Sequence, residues 1–220
     1  MRKVSVICSF VFLLMLGFEG NVDAQNEIQA HITMYESVSS AGESYAFKLE
    51  MSGQPAKDVS RVLIQTPNHR KLSFHNNLKF DTFLFSRDGM TFTEFKKRFP
   101  EGPYEIDLTP KRYGRFKINM IYNFPNVVIT SPVEGQTGLS LDPLIEWEPL
   151  TNISNLSLIA RSTSHTFSTS LPIDASSFTA GYDYLMPNTQ YELSLEATTT
   201  DFEGNALVRT YTVSIKTIAQ

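Results

Sequence analysis

From Ile28 onward the chain is written mostly in a two-residue rhythm. In IQAHITMYES, Ile28, Ala30, Ile32 and Met34 fall on one side of an extended chain and polar residues on the other. SYAFKLEM repeats the pattern, with Tyr45, Phe47, Leu49 and Met51 on one face and Lys48 and Glu50 on the opposite one. SRVLIQTP is a β-branched run stopped by Pro67, and FDTFLFS reads as an apolar strand ahead of an Asp88-Gly89 turn. YEIDLTP and RFKINMIYNF alternate again. Successive side chains of a strand point to opposite faces, so these segments predict half-buried strands. One segment breaks the rhythm. In TFTEFKKRFP, Phe92, Phe95 and Phe99 are three and four apart, a helical spacing that Pro100 ends. A single short helix capping one end of a sandwich is predicted there. Lys96, Lys97 and Arg98 form its solvated face, or else a small anion-contact patch.

Past Pro125 the strands become shorter and the turns regular. VVIT, LIEWE, NLSLIARS, HTFSTSL, SFTAG, QYELSLEATT and LVRTYTVSIKT read as strands. Turn signals at Pro132 with Gly135, Pro149, Pro172, Pro187-Asn188 and Gly204-Asn205 separate them. The fold class predicted is all-β: two tandem antiparallel β-sandwich domains, with one short helix in the first. Composition puts the boundary in YNFPNVVITSP, giving an aromatic-rich domain at 25–125 and a second domain at 126–220. Residues 25–124 carry 14 Lys and Arg against 11 Asp and Glu, a net of +3; residues 125–220 carry 3 against 10, a net of −7. Neither half is basic enough to point to nucleic acid.

The first 24 residues stand apart. Arg2 and Lys3 precede an almost unbroken apolar run from Val4 to Phe18, and Val22-Asp23-Ala24 closes the segment. That is the layout of a secretory signal peptide, with cleavage expected between Ala24 and Gln25. The run is shorter than the roughly 20 residues needed to span a bilayer, so no membrane span is expected after cleavage. Cys8, the only cysteine, lies inside the run. A processed chain would have no thiol, which excludes disulfides, zinc-thiolate sites and cysteine nucleophiles.

LMPNTQYELSLEA, Leu185 to Ala197, carries the one family signature. It resembles the Leu-x-Pro-x-Thr-x-Tyr pattern of fibronectin type III domains. The resemblance implies a tyrosine corner: Tyr191 opens the sixth strand and its hydroxyl ties back to the preceding connection. It further implies that Leu185 plugs the core, that Pro187 fixes the turn and Thr189 completes the signature, and that Trp147 is the second-strand tryptophan. Asp201–Asn205 would be the turn between the last two strands. NLSLIARS lacks the tyrosine often found in the third strand, which marks a divergent bacterial relative. No Arg-Gly-Asp occurs, so that function is not implied.

No catalytic constellation emerges. His31, His69, His75 and His165 share no ligand spacing. GESYA superficially resembles a nucleophile elbow, but Ser44 runs into a strand pattern where a sharp strand-to-helix turn is required. Glu146 and Glu148 flank Trp147 on one strand face and read as an acidic surface. Asp201, Glu203 and Asn205 alternate as oxygen donors, short of a full calcium loop. Asn152 and Asn155 open Asn-x-Ser sequences, which matter only in a source that glycosylates. Tyr182, Tyr184, Tyr113 and Tyr122 are candidates for a sugar-stacking platform, Tyr182 and Tyr184 sharing a face if their segment is extended. The expectation is an exported, non-catalytic binding or interaction protein of the bacterial periplasm or exterior. No cofactor or metal is expected, and the partner is a protein or a polysaccharide. A carbohydrate-binding module accessory to a polysaccharide-degrading system and a secreted hydrolase are the alternatives. The opposed charges of the halves also allow head-to-tail self-association, screened beyond about 8 Å at physiological salt.

Overall fold

A computed structural model describes residues 28–75 and 82–219, so the leader expected at 1–24 lies outside the described residues. The alternating runs of the first half form β1 (Gln29–Ser39), β2 (Gly42–Ser52), β3 (Arg61–Gln65), β4 (Lys71–His75), β5 (Thr82–Met90), β6 (Gly102–Thr109) and β7 (Arg115–Met120). The helix α1 (Phe92–Arg98) lies between β5 and β6. The second half contributes β8 (Ile129–Ser131), β9 (Gln136–Leu139), β10 (Leu144–Trp147), β11 (Asn155–Arg161), β12 (Thr166–Ser170), β13 (Ser177–Thr179), β14 (Gln190–Thr200) and β15 (Ala206–Thr217).

These strands make three sheets. One long sheet runs β12-β11-β14-β15-β1-β2-β5, with β9 added on β15; the others are β4-β3-β6-β7 and β13-β10-β8. In the first half, β1, β2 and β5 pack over β4-β3-β6-β7, and Ile32, Met34, Phe47, Leu49, Ile64 and Ile106 are sealed between the layers. In the second half, β12-β11-β14-β15 packs over β13-β10-β8 around Trp147, Leu158, Tyr191, Leu193 and Leu195. Alternation selected both inner faces because only one face of each strand meets the opposite layer.

The two cores share the long sheet. β1 and β15 pair in parallel, with Met34 opposite Leu207, Glu36 opposite Arg209 and Val38 opposite Tyr211. Leu207 packs into the first core while Tyr211 packs against the second, so one strand feeds both. Each core therefore lies under the same face of a single sheet. A second parallel pair joins β9 to β15; the remaining ladders are antiparallel.

Three local features depart from the sequence reading. Asp88-Gly89 does not end a strand. It lies within β5, where Tyr45 faces Met90 and Phe47 faces Arg87, so β5 carries an extra residue and Gly89 turns at φ 67°. This is a β-bulge, and glycine takes the positive φ at little cost. β4 and β9 were not read as strands at all. The helix is as expected, closed by a reciprocal cap: Thr91 Oγ1 accepts from the Glu94 amide at 3.3 Å and Glu94 Oε2 accepts from the Thr91 amide at 3.0 Å. These bonds from Thr91 hold the Glu94 carboxyl below the usual range. Phe95 and Phe99 are buried, Phe99 stacking on Phe47 at 4.0 Å.

Candidate functional site

The residues singled out for chemistry prove to be structural in several places. Asp201 and Asn205, proposed as oxygen donors, form a latch between the halves. The Asp201 carboxylate accepts from the amides of Glu203 (2.9 Å) and Asn205 (2.8 Å) and from Asn205 Nδ2 (3.0 Å). That orients Asn205 so that its Oδ1 accepts from the Ile32 amide of β1 at 3.0 Å. Asn205 is 3 % exposed and Ile32 fully buried. Their oxygens thus already face N–H donors. Gly204 turns at φ 85°, and a Cβ there would stand 2.8 Å from the His31 ring packed on it. The glycine is needed twice over, for the turn and for the close approach.

In the long sheet Glu36 lies opposite both Tyr45 and Arg209, and the three form a polar knot. Tyr45 Oη lies 2.7 Å from Glu36 Oε1 and 2.9 Å from Glu43 Oε2. Arg209 Nε stands 3.3 Å from Glu36 Oε2, within ion-pair distance although its N–H is not aimed at the oxygen. Burial first, then the two carboxylates, pushes the Tyr45 phenol well above its ordinary range. Ser44 lies in β2, opposite Ser37, with strand on both sides and no strand-to-helix turn. Glu146 is exposed on β10, and Glu148 accepts from Asn126 Nδ2 at 3.3 Å. Lys96 lies 4.2 Å from the Phe92 ring centre on α1.

The signature residues of the second half converge on one corner. The Tyr191 hydroxyl accepts from the Met186 amide at 2.9 Å, and the ring is fully buried. Leu185 is buried beneath it. Thr189 Oγ1 donates to the Pro187 carbonyl at 2.9 Å, and its amide donates to Thr217 Oγ1 at 2.9 Å. Trp147 is buried and its Nε1 donates to the Ala175 carbonyl at 2.9 Å.

The four tyrosines of the expected platform do not make one. Tyr182 and Tyr184 sit in a turn, closed by the Tyr184 amide donating to the Gly181 carbonyl at 3.0 Å, so the extended geometry that would align them is absent. Tyr184 stacks on Phe167 at 4.3 Å, and Phe167 lies 6.2 Å from Phe178, closing the open side of the sandwich between β12 and β13. Tyr113 donates to Asp58 Oδ2 at 3.1 Å. Tyr122 donates to the Phe99 carbonyl and packs among Phe92, Phe95 and Phe124. Its phenol is raised, by burial first and then by Glu101.

One groove with room for a ligand was missed by the sequence reading. On the outer face of the long sheet, Tyr35, Ser37, Lys48, Ser86 and Asp88 line a groove of about 380 Å³. The groove is built by pairing: Tyr35 faces Ala46 on β2 and Val208 on β15, and Lys48 faces Ser86 on β5. It combines a half-buried aromatic ring, a cation, a carboxylate and two hydroxyls. The same face continues into the second half as the row Ser44–Ser37–Thr210–Glu196–Ser157–Ser170. Alternating polar residues gave the signal for an exposed face. The row itself depends on which strands are neighbours.

The strands define an all-β protein whose second half is layered as a fibronectin type III-like sandwich, β13-β10-β8 over β12-β11-β14-β15. No protein-family model and no curated protein matches the chain. Among solved structures, a two fibronectin type III domain segment from chicken tenascin shares 12 % identity, covering 78 % of this chain and 92 % of that one at a TM-score of 0.33. The FN1–FN3 domains of chicken CNTN1 share 10 % identity, covering 88 % and 66 % at 0.31. The Clostridium thermocellum CbhA fibronectin(III)-like modules share 10 %, covering 85 % and 95 % at 0.26. At such scores these likenesses carry nothing for function, and the assignment rests on the strand order of the chain itself.

Proposed function

We propose that the protein is exported to the bacterial periplasm or exterior. There it works as a non-catalytic interaction protein, with an N-terminal unit at 25–125 held rigidly against a fibronectin type III-like unit at 126–220. The observation that carries this reading is the parallel β1–β15 pairing with its Asn205 latch, which gives both units one continuous outer face. A rigid face presents its contacts without the ordering cost of a hinge. Asp201 is engaged in the latch and Glu36 in the knot, and Ser44 lies within a strand ladder without the sharp turn that a nucleophile elbow needs. The test is crosslinking of the purified chain to intact cells of its source, followed by identification of what it captures. Specific capture of one envelope or exterior component, reduced by substitutions on the outer face, supports the proposal. Capture unchanged by those substitutions refutes it.

A second reading has its own support in the Tyr35 groove, whose ring and polar neighbours suit the apolar face and hydroxyls of a sugar. It predicts a thermal shift with one polysaccharide of a panel and loss of that shift in Tyr35→Ala. A flat panel removes it.

A further inference from the structure

Strand edges expose unpaired backbone groups, and natural sheets blunt them with charge, proline, bulges or short length. The edges of this protein can be compared on that basis. β5, at one end of the long sheet, carries Arg87, Asp88 and a bulge. β7 and β4, at the edges of the first-half sheet, carry Arg115 and Lys117, and Lys71 and His75. β8 and β13 have three residues each. β12, at the other end of the long sheet, has five residues, TFSTS, with no charge, proline or bulge. Among these edges it is the one longer than three residues that carries no such guard.

Its backbone groups are aimed outward at defined positions. The Leu171 amide donates to the Leu156 carbonyl at 2.9 Å, and the Ser162 amide donates to the His165 carbonyl at 2.7 Å. These two bonds bracket β12 and set its phase on β11, so the odd-numbered residues bond inward. The N–H and C=O of Thr166, Ser168 and Ser170 therefore point away from the sheet, and all three residues are exposed.

We propose that β12 pairs with β12 of a second copy of this chain, antiparallel across a two-fold axis at Ser168. In that register Ser168 meets Ser168 and Thr166 meets Ser170, hydroxyl opposite hydroxyl, a favourable cross-strand pairing. About six interchain hydrogen bonds form. No like charges oppose each other, whereas the same operation on β7 about Lys117 would set that lysine against its own copy in the partner strand. The two-fold register that sets hydroxyl against hydroxyl at all three outward positions is what selects a second copy as the occupant. Beside the strand, Tyr184, 43 % exposed and stacked on Phe167, supplies apolar surface that pairing would cover. The product is one sheet running through both copies, an isologous arrangement that closes on itself.

The test uses the full chain carrying Cys8→Ser, so that an introduced cysteine is the only thiol. Ser168→Cys is expected to give a disulfide-linked dimer under mild oxidation, since paired antiparallel strands bring Cα atoms to about 5.5 Å, within disulfide range. Thr212→Cys, in the middle of the same sheet, is expected to stay monomeric. Without cysteine, sedimentation should show a dimer whose population does not fall between 0.05 and 0.5 M salt, measured against the Debye lengths those conditions span. Head-to-tail pairing of the +3 and −7 halves would weaken instead. Ser168→Pro removes an outward donor and leaves the β11 ladder intact, and is expected to weaken the dimer about tenfold or more with an unchanged circular dichroism spectrum. Ser168→Lys serves the same purpose if the proline variant does not fold. A monomer at all concentrations with no Ser168→Cys crosslink overturns the proposal, as does a dimer insensitive to both Ser168 substitutions.

Discussion

Replacing Asn205 by alanine tests the latch most directly. The substitution removes the only acceptor of the Ile32 amide, a donor sealed in the first core, and the donor that Asn205 Nδ2 gives to Asp201. Leaving a buried donor unsatisfied costs about 1–3 kcal/mol, and losing a hydrogen bond to a carboxylate costs about as much again. Asp201 keeps its two amide partners, so part of the second term is recovered. A loss of about 3 kcal/mol is expected, a shift of about 1–3 M in a urea midpoint at the usual slopes. The effect should also be local. Trp147, the only tryptophan, lies in the second core, so its fluorescence follows that half, while far-ultraviolet dichroism follows both. In the parent chain the two transitions should coincide; in Asn205→Ala they should separate. Glu203→Ala is the control, because Glu203 contributes only its backbone amide to the latch. Coincident transitions and a loss below about 0.5 kcal/mol, the scale of ordinary surface changes, would show that β1 and β15 hold together without Asn205.

Other consequences can be checked separately. Tyr191→Phe deletes the acceptor of the Met186 amide without changing ring volume, and should cost about 1–2 kcal/mol in urea denaturation. Tyr45, Tyr104 and Tyr122 have phenols raised in the folded chain, chiefly by burial. The neutral forms are those the fold favours, so their contribution is whole below the ordinary phenol value of about 10 and is lost as pH rises past it. Absorbance at alkaline pH should accordingly show part of the tyrosine signal appearing only with unfolding. The mass of the protein recovered from its source should correspond to a chain starting at Gln25, and an intact Met1–Ala24 segment would refute export by cleavage.

What the sequence disclosed follows from what a strand pattern encodes. Alternation says which face of a strand is dry, and Ile32, Met34, Phe47 and Leu49 were correctly placed inside on that basis. The helix was legible from Phe92, Phe95 and Phe99 because a spacing of three and four fits no strand. KLSFH was missed because its inward residues Leu72 and Phe74 are separated by serine and flanked by lysine and histidine, too little contrast to register as alternation. Asp88-Gly89 was taken for a turn because the dipeptide that makes a tight hairpin also makes a bulge, and only the partner strand decides between them. Tyr182 and Tyr184 were two apart, but alternation has meaning only where the chain is extended, and there it turns.

The pairing of β1 with β15 was beyond reach for a different reason. A strand's own residues fix its faces and leave its neighbours open; adjacency is decided by which edges remain once each sandwich has closed. β15 keeps a free edge where it passes its own half, and β1 keeps one because β2 covers only its other side. Two free edges close in space and parallel in direction join, and the polar residues around them take new roles. Glu36 would be a costly charge within a lone first sandwich, since it lies on the same face as Ile32 and Met34 and is only 8 % exposed. Opposite Arg209 and Tyr45 it is compensated. Asn205 would be an ordinary turn residue in a lone second sandwich; against β1 it is the acceptor for a buried amide. Both residues make physical sense only in the joined chain, which is the argument for treating the two halves as one continuous structure.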